Sequence, residues 1–384
     1  MRGVISRRRR TTIFHLVFAV PSLLVIVRWL WPLSLPLWGK GAIALLLLFV
    51  SQYHLWSRLS SGSVFAPEFP RAIVVLFNWA FGVIVILLVL QILLDLGTLA
   101  AMLLRQGSIR VPDSARYAIA AVAGLISAIG VANATRVPPI NDIAVDIQGL
   151  PSEFEGYRLL QLTDLHISRL FPATWARAVV DRANASGVDL IVVTGDFIDG
   201  SVEMRRTDVA PLHDLQAPDG VYAIPGNHEY FFDYAAWMRH LASLGMRMLP
   251  NAHIVLTRGD TRIVLAGVTD LSAPAHQQAG PDLNAALAGA PANAPIILLD
   301  HQPRAAGHAA ARGVALQLSG HTHGGMIVGL DRLVARGNAG YVSGRYAVGG
   351  MTLYVSNGTA LWPGFALRLG RPSELTRVTL HAAR

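Results

Sequence analysis

Apolar positions fall in two different rhythms along this chain. Up to residue 136 they form four long runs, at 12–31, 37–56, 72–94 and 115–132. Each is close to the ~20 residues a helix needs to cross a hydrocarbon core. Beyond Arg136-Val137-Pro138-Pro139 the runs shorten to strand length, at 157–162, 190–193, 221–224, 296–299, 315–318, 351–355 and 375–380. Helical stretches separate them. One opens at Pro172 and ends before Gly187. The others cover 233–244, stopped by Gly245, and 304–312, stopped by Gly313. Gly259-Asp260 reads as a hairpin turn. Strands alternating with helices predict a layered α/β domain. The expected division is a transmembrane helical region at 1–136, a linker and entry strand at 137–156, and the α/β domain at 157–384.

The punctuation of the first half fits a membrane. Trp29, Trp31, Trp38 and Trp56 sit at ends of runs, where amphipathic rings favour the interface. Pro32 and Pro36 break the first connection, and Ser60-Ser61-Gly62-Ser63, Pro67 and Pro70 the second. A soluble helical core would not carry four such runs, three of them almost free of charge. Arg28 lies close enough to the end of its run to snorkel, and Asp95 ends the third.

Charge sharpens the division. Residues 1–136 hold 13 Arg and Lys against 3 acids, while residues 137–384 hold 19 against 21. The basic surplus therefore flanks apolar spans, where it sets topology. A nucleic-acid-binding domain would carry it on its own folded surface, so no nucleic-acid partner is expected. Arg7 to Arg10 precede the first run and favour a cytoplasmic N-terminus. Four spans would return the C-terminal domain to the cytoplasm, at a bacterial inner membrane. Lys40, Arg105, Arg110 and Arg116 on the outer side argue against that orientation. Ser6-Arg7-Arg8 resembles a twin-arginine export signal, but three further spans follow it. The chain has no cysteine, which excludes disulfides and thiolate metal ligands.

Candidate chemistry lies in the second half. Asp164-Leu165-His166, Gly195-Asp196, Gly226-Asn227-His228, His301 and Gly320-His321-Thr322-His323 occur in that order, each after a predicted strand. Ligands at strand ends converge on one sheet edge, where α/β proteins place their sites. In extended backbone, residues i and i+2 point the same way, which would pair Asp164 with His166 and His321 with His323. Asp196 has two oxygens and could bridge two ions, and Asn227 offers a neutral amide oxygen. Such N/O ligation suits Mn²⁺, Fe or Zn²⁺ better than Ca²⁺. Singly, each motif has an ordinary explanation in a turn or a satisfied histidine. Five in one order do not. His15, His54, His213, His240, His253, His276, His308 and His381 lie outside the motifs and read as surface or structural residues.

With Asp-x-His, Gly-Asp, Gly-Asn-His-Glu229, His301-Gln302-Pro303 and Gly-His-x-His in place, residues 157–384 resemble a calcineurin-like metallophosphoesterase. Arg368 with Pro372-Ser373-Glu374 is similar to the membrane-associated bacterial branch, which includes UDP-2,3-diacylglucosamine pyrophosphatases. The four-span architecture resembles transmembrane proteins with a metallophosphoesterase domain. The resemblance implies a four-layer αββα sandwich after an all-α bundle of about four transmembrane helices. It implies two divalent ions, Mn²⁺ first and Fe or Zn²⁺ as alternatives. Asp164, His166 and His323 would hold one, Asn227, His301 and His321 the other, and Asp196 would bridge them. His228 would be the catalytic acid. The implied reaction is hydrolysis of a phosphodiester or pyrophosphate bond by metal-activated hydroxide, with a lipid-linked substrate suggested by the membrane spans. Two residues depart from the branch: Met326 stands where Gln is usual, and Asp300 where a small residue is usual.

Other classes fit less well. An amidohydrolase needs a barrel and opens with His-x-His. A zinc protease needs a second histidine where Phe232 stands. A transporter would need buried charges in its spans. A non-catalytic membrane receptor or scaffold with a metal site has no use for the non-ligand His228.

Overall fold

The computed structural model describes residues 19–383. They divide into two compact units. One contains the described residues up to 132 together with Pro363–Leu367, and the other contains Asn133–Trp362 and Arg368 onward.

The first unit is helical. Its elements are α1 (Ala19–Leu30), α2 (Leu37–Ser51), α3 (Tyr53–Ser61), α4 (Arg71–Arg105) and most of α5 (Asp113–Thr135). Pro36 and Pro70 stand at the N-caps of α2 and α4, where a missing N–H costs nothing. Two helices, α4 and α5, are long and apolar enough to cross a membrane. The bent pair α2 and α3 makes a third if it is one span. Four separate spans are therefore not seen among the described residues. The second run bends by 53° at Gln52, and part of the first, with Arg7 to Arg10 and His15, lies outside the described residues. Asn78, buried in α4, spends both ends of its amide on the returning segment. It donates to the Pro363 carbonyl at 2.9 Å and accepts from the Ala366 N–H at 2.6 Å. Tyr53 donates to the same Pro363 carbonyl.

The second unit is a sandwich of two six-stranded sheets, as expected. In chain order its elements are β1 (Ile140–Ile147), β2 (Arg158–Leu162), α6 (Ala173–Asn184), β3 (Leu190–Thr194), α7 (Val202–Val209), β4 (Val221–Ile224), α8 (Asn227–Phe231) and α9 (Tyr234–Ser243). They continue as β5 (Arg247–Met248), β6 (Ala252–Arg258), β7 (Thr261–Gly267), α10 (Leu283–Ala286), β8 (Ile296–Leu299), α11 (Ala306–Ala311) and β9 (Val314–Ser319). The last are α12 (Asp331–Gly337), β10 (Gly344–Val348), β11 (Met351–Val355) and β12 (Leu375–Ala382).

The first sheet runs β1-β12-β2-β3-β4-β5 and the second β10-β11-β9-β8-β7-β6. Strands β2 to β5 and β7-β8-β9-β11 are parallel. Strands β6 and β7 form the hairpin that Gly259-Asp260 predicted, with Arg258 opposite Thr261. Leu159, Val192, Ile224, Leu265, Leu299, Leu318 and Val378 pack together between the sheets. Fully burying each such side chain is worth ~1.5–3 kcal/mol. The outer face of the second sheet buries Ala266, Leu298 and Leu353 against Leu283 and Ala286 of α10 and Ala306 and Ala309 of α11. In each sheet the parallel strands end in connecting loops, the place where α/β proteins build sites.

Candidate metal centre

The ligand loops begin where these strands stop. Beyond β2, the Asp164 N–H bonds the Gly195 carbonyl and the His166 N–H bonds the Asp196 carbonyl, both at 3.0 Å. This clips the loop after β2 to the loop after β3. The backbone here is not extended, as the i, i+2 argument assumed. Asp164, His166, Asp196, His321 and His323 all have positive φ, between 43° and 69°. Each non-glycine residue held there costs about 1–3 kcal/mol. Asp164 and His166 still fall in one ligand set, because the chain curls at the strand end instead of continuing straight, whereas His321 and His323 are divided between two sets.

Close approach explains two glycines. A Cβ on Gly226 would collide with the Asp196 carboxylate and backbone N, and one on Gly320 with Thr163 and the Asp164 carboxylate.

The predicted residues come together. Three sets of side chains each place their ligand atoms within 4.8 Å: Asp164, His166 and His323; His166, Asp196 and His228; and Asp196, His301 and His321. Asp196 belongs to two sets and lies between them. Its Oδ2 is 3.3 Å from His301 Nε2 and 3.8 Å from His166 Nε2. Asn227 Oδ1 is 2.8 Å from His321 Nδ1 and 3.2 Å from His301 Nε2. The His301 Nδ1 is taken by the Thr194 carbonyl at 2.7 Å, which leaves Nε2 for the centre. The residues fit a pair of divalent ions on a direct observation: His166 Nε2 is buried and has no hydrogen-bond partner, although the Asp164 and Asp196 carboxylates lie within 4.0 Å of it. A donor set of imidazole, carboxylate and amide suits borderline divalent metals.

Electrostatics follow from burying so many charges. Burial opposes ionisation of Asp196, but the facing His301 and His228 outweigh it and hold its carboxyl well below the usual range. Burial wins at Asp164 and raises it. It also lowers His321 to about 4, with His301 assisting. His301 is raised well above its usual value, because Asp196 outweighs burial there.

One important residue was not singled out in the sequence. Asp199, three positions after Asp196, is fully buried and bridges two histidines. Its Oδ2 lies 3.0 Å from His166 Nδ1 and its Oδ1 2.5 Å from His228 Nδ1. The Gly-Asp-x-x-Asp spacing was the available signal. Against the penalty of burial, Asp196 and Asp199 raise the His228 imidazole to about 9. These two carboxylates thus favour the protonated imidazole, whose Nε2 lies 4.0 Å from Asp196 Oδ2.

Glu229 is a brace. Its carboxylate accepts from the N–H groups of Gly226 (2.7 Å), Phe197 (2.8 Å) and Asp196 (3.1 Å), tying α8 to the Asp196 loop. Burial, reinforced by Asp196, lifts it to about 7. Glu229→Gln puts an amide NH₂ against at least one of these donors. We expect a loss of about 1–3 kcal/mol, seen as a lower Tm of the metal-free protein. An unchanged Tm would remove the brace. Arg368, also fully buried, donates to the carbonyls of His323, Asn357, Ala360 and Arg371. It fixes the loop that carries His323. Of the two departures, Met326 adopts φ 60° directly after the Gly324-Gly325 turn. Asp300 is buried and raised to about 7 by burial and by Asp270.

The family profile described as calcineurin-like phosphoesterase matches residues 157–325. An uncharacterized metallophosphoesterase of Bacillus subtilis, YkuE, is 31% identical over 60% of this chain and 81% of its own length. The chain belongs to the calcineurin-like phosphoesterase family. Another member, the transmembrane protein with metallophosphoesterase domain of Danio rerio, is 33% identical over 68% of this chain and 62% of its own. This chain thus spans somewhat less than two thirds of that relative's length. Among solved structures, the calcineurin-like phosphoesterase YfkN from Bacillus subtilis aligns over 54% of this chain and 82% of its own, at TM-score 0.37 and 15% identity. Relatives named as transmembrane accompany a chain whose helices α4 and α5 could span a membrane.

Proposed function

We propose that this member of the calcineurin-like phosphoesterase family is a membrane-anchored phosphoesterase that cleaves phosphodiester or pyrophosphate bonds with two divalent ions, Mn²⁺ first. The observation that carries this reading is the Asp199–His228 pair at the edge of the Asp196 cluster. A protein that only binds metal would have no need to hold a protonated imidazole there. In the assigned roles, Asp164, His166 and His323 hold one ion and Asn227, His301 and His321 the other, with Asp196 between them. When bound, the ions would supply Lewis acidity towards phosphoryl oxygens and lower the pKa of water.

The chain's own part is to place and to protonate. Asp196 balances the charge of the facing imidazoles. Asp199 accepts from His228 Nδ1 and so orients the ring, with Nε2 on the Asp196 side at 4.0 Å from its Oδ2, the edge assigned to protonate the leaving oxygen. A positioned acid of this kind contributes ~10²–10⁴-fold.

Asp199→Asn tests the pair by pH. His228 is raised above its ordinary value, so its acid form is present at lower pH and is lost as pH rises through about 9. Removing one of its two anions lowers that value. The alkaline limb of kcat should therefore move to lower pH. The same change removes the partner behind His166, so metal affinity should fall ~10–100-fold. An unmoved limb in the metal-saturated variant would refute the pairing.

Residues 1–136 are taken as the membrane region, 137–156 as linker and entry strand, and 157–384 as the catalytic domain. The apolar helices and the relatives named as transmembrane support a lipid-linked substrate, such as a nucleotide-lipid or phospholipid headgroup. The basic N-terminal cluster supports a bacterial inner-membrane location with the domain in the cytoplasm. The test is turnover of bis(p-nitrophenyl) phosphate by the full chain in detergent, stripped of metal and resupplied with Mn²⁺, followed by lipid-linked esters. Recovery with Mn²⁺ is expected. No turnover of either substrate class with any divalent ion would overturn the reading. Equal turnover of lipid and water-soluble esters would overturn the lipid assignment alone.

A further inference from the structure

A second polar site lies in the same unit, away from the metal ligands' own side chains. Asn133, Arg136, Arg368, Gly370, Arg371 and Pro372 line a pocket of about 190 Å³. Three of these six residues are arginines. Among the described residues, Asp331 is the one carboxylate bonded to any of them, through Arg371. Two donors remain without an acceptor: the buried Nε–H groups of Arg368 and Arg371. Arg368 is the notable case, since the side chain is 1% exposed and its other nitrogens are all committed to backbone carbonyls. A buried donor left unmade costs about 1–3 kcal/mol, and a buried guanidinium without a full counter-charge costs more.

We infer that this pocket is a binding site for a phosphate-type oxyanion. Such a ligand supplies what the pocket lacks. It brings negative charge against a net surplus of two, and oxygens that accept from guanidinium N–H groups in charge-assisted bonds. The position along the chain favours a lipid as its source. Arg136 is the first residue beyond α5, a helix able to cross a membrane, and basic residues at such an exit meet anionic headgroups. Free phosphate shares the chemistry. Occupancy would also neutralise the guanidinium that holds the His323 carbonyl, linking the oxyanion to the order of the metal loop.

The experiment uses the full chain in detergent with its metals retained, studied by native mass spectrometry. The probes are phosphatidylglycerol, phosphatidylcholine and inorganic phosphate. We expect one phosphatidylglycerol per chain, held at least tenfold more tightly than phosphatidylcholine and displaced by phosphate. Arg136→Gln, at an exposed position, should weaken it at least tenfold, and Arg262→Gln on β7 should not. Phosphate bound in an Arg136-dependent way without lipid selectivity supports the site with free phosphate as its source. Anion binding equal in Arg136→Gln and wild type places the anion elsewhere, at the metals for example, and overturns the proposal. So does the absence of any binding. A second measurement needs no variant: phosphatidylglycerol retention by the wild type should fall as salt rises from ~0.1 to ~0.5 M. Retention that ignores salt would also overturn it.

Discussion

Asp196→Asn is expected to abolish metal-dependent turnover and to strip metal from the purified protein. Asp196 is the one carboxylate that belongs to two of the ligand clusters. Its Oδ2 faces His301, His166 and His228 within 4.0 Å, and its Oδ1 accepts the His228 N–H at 2.8 Å. The amide is nearly isosteric but neutral, and it presents N–H groups to imidazoles that need an acceptor. Losing a partner behind a ligand costs ~10–100-fold in metal affinity, and losing the shared ligand itself should exceed that. The check is metal content by elemental analysis alongside turnover. Normal values of both would sink the bridging assignment. A folded variant that lacks both ions would establish it. Tm of the metal-free forms controls for folding, because the Asp196 N–H also donates to the Glu229 carboxylate.

His228→Ala should give the opposite pattern, with metal kept and turnover lost by ~10²–10⁴-fold. The side chain is close enough to His166 and Asp196 to be read as a ligand on distance alone. Its Nδ1, however, is taken by Asp199 at 2.5 Å, and the centre already has Asp164, His166 and His323 on that side. A general acid matters most when the leaving group is a poor one. The deficit should therefore be larger for alkyl phosphodiesters than for p-nitrophenyl esters, whose leaving oxygen needs little protonation. An equal deficit for both, or metal loss as complete as in Asp196→Asn, would make His228 a ligand and not the acid.

Much of the site was legible before the structure because its parts are tied to strand ends. The strands at 221–224, 296–299 and 351–355 occur at the expected residues, since short β-branched and leucine-rich runs between turns have few other stable forms. The ligand motifs follow them for the same reason. Other features were not legible. Asp199 looks like an ordinary surface acid in Asp196-Phe197-Ile198-Asp199-Gly200, and only the fold buries it between two histidines. Arg368 is separated from His323 by 45 residues, a contact no local pattern encodes. The backbone at Asp164 and His166 is left-handed where alternation suggested extension, because convergence on a common centre outweighs a local preference worth a few kcal/mol. In the membrane half, hydropathy located the apolar runs but not the bend at Gln52, because hydropathy averages over a window and a break in the axis is a single-residue event.

By itself, then, the sequence determined which half is apolar enough for a membrane, the alternation of strands and helices in the other, and the kinds and order of the candidate metal-ligating side chains. These rest on composition and local period, which a linear chain carries openly. Tertiary structure alone decided that Asp196 stands between two ligand sets, that Asp199 bonds His228, that Arg368 holds the His323 loop, and that Arg136, Arg368 and Arg371 share one pocket. Each of these depends on the burial of groups far apart in the chain. Only the packed sandwich brings them within a few ångströms, at low enough dielectric for their charges to govern one another.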